Sequence, residues 1–428
     1  MKVFKFGGAS VKDADAVKNV AGVLNPYKKE NLVIVVSAMG KTTNALGDLT
    51  NSYFNKQSKK IDVFNSIKKY HYEIIEKLFP GNTHPVYKDI ENKFYEIKTL
   101  LNIEPPINHD LIHDRIVSYG EFLSSKIVSY YLNFAGIKNI LIDATEIIKT
   151  DNTYKEAKVD WQETEKSVKA KLPPLFKNNG DDKNNIVITQ GFIAKSYDGN
   201  IVTLGKEGSD YSAAILAYCL DAEEVVIWKD VPGVLNADPK WFDETIKLDH
   251  ISYLDAVELA YYGATVIHHK TIKPLQNKQI PLLVKSFYNP LESGTVISSD
   301  NVRLAVPSFI FRINQALIII SPKDFSFIIE ENLRDVFHIF ASCRVKINVM
   351  QNTAISFSVS VDYDENKVPR LIERLKEKFN VTYENHNLEL ITIRNYNQQT
   401  IERVCVKKEI HLEQKTKTTA QIVVKKLD

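Results

Sequence analysis

Cysteine is scarce in this 428-residue chain: Cys219, Cys343 and Cys405 stand far apart, odd in number and in no CxxC pair. That argues against a disulfide framework or a cysteine zinc site and fits a reducing, cytoplasmic setting. A dominant charge is also missing, because 55 basic side chains face 53 acidic ones. A formal charge of +2 gives no field from which nucleic acid or a membrane can be read as a partner, so any functional charge must be local. Long apolar runs are absent too. The start, Met1 to Phe6, meets two glycines at once, too soon for a signal peptide or a membrane span. What is present is ordinary globular composition, 44% hydrophobic and 25% charged, in a length that suits about two or three domains.

Over the first 300 residues, apolar β-branched runs alternate with amphipathic helical stretches, the pattern of an α/β fold with a mostly parallel sheet covered on both faces. Strands are expected at Val3 to Phe6, Leu32 to Val36, Asn139 to Ile142, Ile186 to Thr189, Glu224 to Trp228 and Leu282 to Lys285. Charged helical sequence from about Tyr53 to Arg115, broken by Pro105-Pro106, reads as a helical insertion. The polar stretch Lys177 to Asn185 reads as a surface loop. After about Val306 the order becomes βαββαβ, a ferredoxin-like α+β unit, with its first strand expected over Phe309 to Ile320. A partial second copy follows from Leu388 and stops at Asp428 without its last helix and strand, so it needs another sheet or subunit to lean on.

Ligands in open α/β sheets sit at the carboxyl ends of the strands, and four segments there carry chemistry. Lys5-Phe6-Gly7-Gly8-Ala9-Ser10 pairs a lysine with glycines that let backbone N–H groups approach phosphate oxygens, although a bare Gly-Gly turn is common. Ser37 to Asn44 gathers hydroxyls, a glycine and a lysine, which a capped turn explains equally well. Thr203 to Asp210 (TLGKEGSD) frames Lys206 with glycines before Ser209-Asp210, either of which is also a fitting N-cap. Trp228 to Lys240 leaves a strand through Pro232-Gly233 and carries Lys229, Asp230 and Lys240.

These segments, with Ser118-Tyr119-Gly120-Glu121, Ile188 to Phe192 and Tyr261 to His268, resemble in order and spacing the signatures of aspartate kinases in the amino acid kinase superfamily. The resemblance implies a three-layer αβα sandwich over residues 1–300, with the insertion at about 53–115. It also implies a ferredoxin-like ACT domain over 306–386 and a partial second ACT domain over 387–428. The implied activity is transfer of the ATP γ-phosphoryl group to the β-carboxylate of L-aspartate, a first step toward lysine, threonine and methionine, with ATP and Mg2+ required. A homodimer and an amino-acid effector at the ACT domains are implied as partners.

Carried onto this chain, Lys5 and Asp210 would be catalytic. Ser37, Thr43, Glu121, Phe192, Lys206 and Ser209 would hold aspartate, with Glu121 facing its ammonium group. Lys5, Gly7, Gly8, Ser10, Lys229, Asp230, Leu235, Lys240, Thr265 and Val266 would hold ATP. No direct protein ligand to the metal is implied, which would ride on the phosphates near Asp210.

The chain departs from the family at three positions. Lys206 replaces an arginine and cannot form a bidentate fork, so weaker aspartate binding is expected. Thr265 replaces a lysine near the nucleotide, with Lys270 or Lys273 as substitutes, and His269 replaces a proline. In lysine-sensitive relatives an acidic residue faces the effector amine, where this chain has Asn348 and, at the neighbouring helix start, Ile329 to Asn332. Weak or absent lysine inhibition is expected.

His109-Asp110-Leu111-Ile112-His113 resembles a HExxH zinc helix, but lacks its glutamate and a third ligand and is set aside. The adjacent pair His268-His269 is read as surface or packing. Two rival functions remain open from sequence: a kinase of another small carboxylate in the same superfamily, and a catalytically weakened, ACT-bearing amino-acid sensor.

Overall fold

The computed structural model describes residues 1–176, 185–242, 244–263, 267–300, 306–324 and 326–427. The chain divides into two units. One comprises 1–234, 247–257 and 266–302, the other 235–246, 258–265 and 303–428.

In the first unit the strands are β1 (Lys2–Phe6), β2 (Leu32–Val36), β3 (Ile140–Ile142), β4 (Lys149–Thr150), β5 (Ile186–Gln190), β6 (Ile193–Ser196) and β7 (Ile201–Thr203). They continue with β8 (Glu224–Lys229), β9 (His250–Ser252), β10 (Leu282–Ser286) and β11 (Thr295–Ser298). Eight of them form one sheet in the order β3-β5-β2-β1-β8-β10-β11-β9, parallel except between β10 and β11. The strands read from sequence all lie in this sheet, because unbroken apolar runs are what burial on both faces demands.

Strand alternation sorts the side chains to the two faces. Phe4, Phe6, Ile34, Val36, Ile188, Val226 and Trp228 point into one core. That core also takes in Val17 and Val20 of the helix Ala14–Leu24, Ile127 of the helix Tyr119–Phe134, and Phe64, Ile75, Phe94 and Leu101 of the expected insertion. The insertion is three helices, Lys60–Leu78, Val86–Leu101 and His109–Val117, with Pro105-Pro106 in the last break. Its apolar stripes complete the core of the first unit. Alternation puts Lys5 on the opposite face of β1, under the helix Gly208–Leu220, which packs on β1, β2 and β8. β4, β6 and β7 make a separate small sheet that the sequence reading did not contain.

The second unit holds β12 (Ser308–Arg312), β13 (Gln315–Pro322), β14 (Ile347–Asn352), β15 (Phe357–Asp362), β16 (Phe379–Glu384), β17 (Leu388–Arg394), β18 (Lys408–Lys415) and β19 (Thr419–Lys426). The strand expected over Phe309 to Ile320 is therefore two strands. Asn314, in left-handed backbone at φ 53°, turns the chain between them. β13 begins the βαββαβ unit, whose sheet runs β14-β15-β13-β16. β12 instead joins the other sheet, in the order β12-β17-β19-β18, and occupies the place that the missing last strand of the partial copy would take.

The missing helix is replaced as well. Ala237 and Phe242, from the 235–246 segment, pack on Phe309, Ile391, Ile393, Ile422 and Val424. The partial copy leans on the first copy's sheet as expected, and stretches of the same unit that lie earlier in the chain complete it. Leu317, Val349, Leu388, Leu390, Leu412 and Val423 cluster between the two sheets. Among the described residues the three cysteines are free, and no helix is long and apolar enough to cross a membrane.

Candidate active site

β1 and β8 lie side by side, and the chain leaves them in opposite directions across the sheet, the position where such folds open a crevice at the strand ends. The helix Gly208–Leu220 starts over that crevice. Its N-cap is Glu207, in left-handed backbone at φ 55° and without a side-chain capping bond. Neither Ser209 nor Asp210 is the cap, so both are released to face the strands. Lys5 Nζ lies 2.5 Å from Asp210 Oδ1, and Lys229 Nζ lies 3.4 Å from Asp210 Oδ2 and 4.0 Å from Glu207 Oε2.

Asp210 is wholly buried. Burial opposes its ionisation, but Lys5 and Lys229 outweigh it and hold the carboxyl below the ordinary range. Burial also acts to lower the pKa of Lys229, and Asp210 with Glu207 overcomes it, leaving that ammonium firmly protonated. Glu207 is pushed up by burial and by Asp210.

Around this knot opens a cleft of about 500 Å³, lined among others by Lys5, Ser37, Thr43, Glu121, Phe192, Lys206 and Ser209. Every residue expected to hold aspartate lines it. Ser37 Oγ and Ser209 Oγ are 2.8 Å apart, tying the end of β2 to the helix start. Glu121 is buried, and desolvation pushes its pKa to about 8 although its own N–H and that of Ala38 donate to the carboxylate. Its Oε2 has no hydrogen-bond partner. A buried carboxylate oxygen left bare in a polar cleft is costly alone and suited to a cationic ligand group.

Close backbone packing shapes the walls. A Cβ on Gly8 would lie 2.8 Å from the Gly40 carbonyl oxygen, and one on Gly191 would lie 2.5 Å from Ser209 Cβ. The strand expected over Ile186 to Thr189 runs to Gln190, and Phe192 turns at φ 68° with its N–H donating to Ser212 Oγ. Ser10 is buried with its hydroxyl donating to the Trp228 carbonyl, so it braces the Gly7-Gly8 turn against β8. Asp230 is exposed just past Lys229. Leu235 and Lys240 belong to the second unit, where the Lys240 N–H donates to Asp238. Thr265 and Val266 lie outside the described residues.

Sequence reasoning missed Asn44, His113, Lys155, Thr203, Gly205 and Glu207, which also line the cleft. Behind them sits Asp114, fully buried, accepting from the N–H groups of Lys155 and Thr203 at 2.8 Å each and from Thr203 Oγ1 at 2.9 Å. The signal for it was thin, one of two aspartates on a short helix. The two histidines of the zinc-like motif have ring centroids 6.4 Å apart, and among the described residues no group of three or more His, Cys, Asp or Glu could hold a metal.

The model of the amino acid kinase family matches residues 1–286. Aspartokinase 2, chloroplastic, of Arabidopsis thaliana is 30% identical over 406 residues, covering 91% of this chain and 72% of that protein. The chain belongs to the aspartokinases of the amino acid kinase family. Aspartokinase 1, chloroplastic, from the same plant is 32% identical over 84% of this chain, which spans 63% of that relative's length. This family member also aligns with the lysine-sensitive aspartokinase 3 of Escherichia coli, 29% identical over 84% of the chain and 78% of that protein. In fold it matches the crystal structure of E. coli aspartokinase III in complex with aspartate and ADP, with a TM-score of 0.83 at 24% identity, over 99% of this chain and 96% of that one.

Proposed function

We propose that the chain transfers the γ-phosphoryl group of ATP to the β-carboxylate of L-aspartate, giving 4-phospho-L-aspartate. The observation that carries this reading is the polarity of the cleft. One part of its wall presents the bare, buried Oε2 of Glu121, and another presents Lys5, tied through Asp210 to Lys229. A zwitterionic dicarboxylic acid placed with its ammonium on Glu121 directs an oxygen nucleophile toward the lysines. Phosphoryl transfer asks for in-line placement and neutralisation of spreading negative charge, and no nucleophilic side chain is required.

In this reading Lys5 and Lys229 balance the charge of the transferring phosphoryl group, Asp210 keeps the two ammonium groups in place, and backbone N–H groups of Gly7 and Gly8 meet phosphate oxygens. Ser37 and Ser209 fix the wall beside the reacting carboxylate, while Lys206 takes the α-carboxylate. Bound with the nucleotide, Mg2+ would supply charge neutralisation on the phosphates. The residues present fit that role, since Asp210 is already committed to two lysines and no carboxylate cluster competes for the ion among the described residues. A homodimer is part of the proposal, resting on the exposed apolar side chains Phe327, Ile329, Phe337, Met350 and Ile355 of the first C-terminal βαββαβ unit, and sedimentation velocity checks it.

The decisive assay is aspartyl-hydroxamate formation with ATP and Mg2+. Aspartate is expected to exceed glutamate as acceptor at equal concentration. Lys5→Ala and Asp210→Ala are each expected to lower kcat about 10²- to 10³-fold, the loss typical of one preorganised electrostatic group. Wild-type protein as inert as both variants would instead favour a sensor.

A further inference from the structure

His113 lines the cleft and has no role in the reading above, although its helix carries it there. Its Nδ1 lies 3.3 Å from Asp114 Oδ1, and its side chain is 25% exposed. Asp114 is held rigidly by the Lys155 and Thr203 backbones and the Thr203 hydroxyl. The ring is therefore oriented from behind by an anchored carboxylate, as a ligand histidine is oriented by its outer partner. No described hydrogen bond uses Nε2, and that atom is not among the buried unpartnered ones, so solvent in the cleft reaches it.

We infer that His113 is a specificity residue that donates from Nε2 to the α-carboxylate of the amino-acid substrate, with Asp114 as its positioning residue. The inference rests on the proposed aspartate kinase activity and deepens it. Two placements select the α-carboxylate over the β-carboxylate. Asp114 grips Thr203, three residues before Lys206, and the next helix carries Glu121, so His113 stands with the groups assigned to the amino-acid backbone. Lys5, Asp210 and Lys229 form a separate knot at the ends of β1 and β8. The other cation nearby is taken, since Lys155 Nζ is 2.6 Å from Asp110.

With Asp114 beside Nδ1, Nε2 is the ring nitrogen left to meet a substrate carboxylate. It supplies a second donor where Lys206 alone lacks the two-pronged geometry of a guanidinium.

The test compares wild type, His113→Ala, His113→Lys and Asp114→Asn in steady-state kinetics, with the α-amide of L-aspartate (L-isoasparagine) as a second ligand, scored as substrate or competitive inhibitor. His113→Ala is expected to raise KM for aspartate about tenfold, the effect of one lost charge-assisted hydrogen bond. Its kcat and KM for ATP are expected to stay within twofold, with less than a twofold penalty for the α-amide. His113→Lys should recover part of the loss, and Asp114→Asn should shift KM for aspartate in the same direction as His113→Ala. An unchanged KM in His113→Ala overturns the inference. So does an equal penalty for aspartate and its α-amide, or a loss confined to kcat. Wild-type protein that does not phosphorylate aspartate overturns the proposed function and this inference with it. Wild-type turnover with an indifferent His113→Ala removes His113 alone.

Discussion

At the scale of the residue, Glu121 makes the sharpest physical statement in the cleft. Its pKa is raised by burial to about 8, above the ordinary glutamate value of 4.5, so the folded protein holds a proton there that the unfolded chain has lost. Between those two values the native state binds more protons than the unfolded one, and stability falls as pH rises. Glu121→Gln removes that liability, and its melting temperature is expected to exceed the wild-type value at pH 9 but not at pH 5.

Binding an ammonium group reverses the preference and expels the proton. Calorimetry of aspartate binding at pH 7, in buffers of differing ionisation enthalpy, should find wild type releasing most of one proton more than Glu121→Gln. Equal proton counts would mean that Glu121 is already ionised in the free protein, and that its bare oxygen is matched by something other than substrate. Such a residue is half legible in sequence. Its place in SYGE marks it, yet its burial and its empty Oε2 depend on the Ala38 loop, about eighty positions earlier. Asp114 was barely legible, because its partners Lys155 and Thr203 come from other parts of the chain.

Elements read well where one periodicity dominates and poorly where it does not. The buried strands of the large sheet announce themselves as apolar runs. β4, β6, β7, β9 and β11 span only two to four residues each and carry no such run. The β12–β13 break was hidden because apolar side chains flank Asn314 on both sides, and only its positive φ marks the turn. Two glycines show how local space decides the sign of one substitution.

Gly191 closes the turn between β5 and β6 against the helix start, where a Cβ would lie 2.5 Å from Ser209 Cβ and 2.8 Å from its Cα. Gly191→Ala is expected to cost about 1–3 kcal/mol by overpacking and to raise KM for aspartate as Ser209 is displaced. Gly47 lies inside the helix Thr42–Phe54, where a Cβ would meet nothing within 4 Å. Gly47→Ala should stabilise by about 0.5–1 kcal/mol, since alanine loses less backbone freedom on folding. Urea midpoints of the two variants shifting in the same direction would refute the steric argument.

On the scale of the whole molecule, the second unit is completed by chain that precedes it, and a partly exposed polar network within it bears on regulation. Arg312 of β12 donates to the carbonyls of Tyr261 and Tyr262 and pairs with Asp362 of β15 at 3.2 Å. Asp362 in turn accepts from Gln315 at 2.8 Å and from Asn348 at 2.9 Å, and Asn348 also donates to Gln315 at 3.0 Å. The Asn348 NH2 is thus engaged while its Oδ1 is buried without a partner, and the Asp362 carboxylate beside it is paired with a guanidinium. A lysine side chain brought here would lose hydration without gaining an unpaired anion, an unfavourable exchange for a cation. Lysine is therefore expected to leave activity unchanged at sub-millimolar concentration, unlike what the name of the lysine-sensitive E. coli relative describes. A titration of aspartate phosphorylation with lysine at aspartate near its KM checks this. Half-inhibition below a millimolar would mean that the Arg312–Asp362–Asn348 network rearranges to free its carboxylate, or that the effector binds elsewhere on this unit.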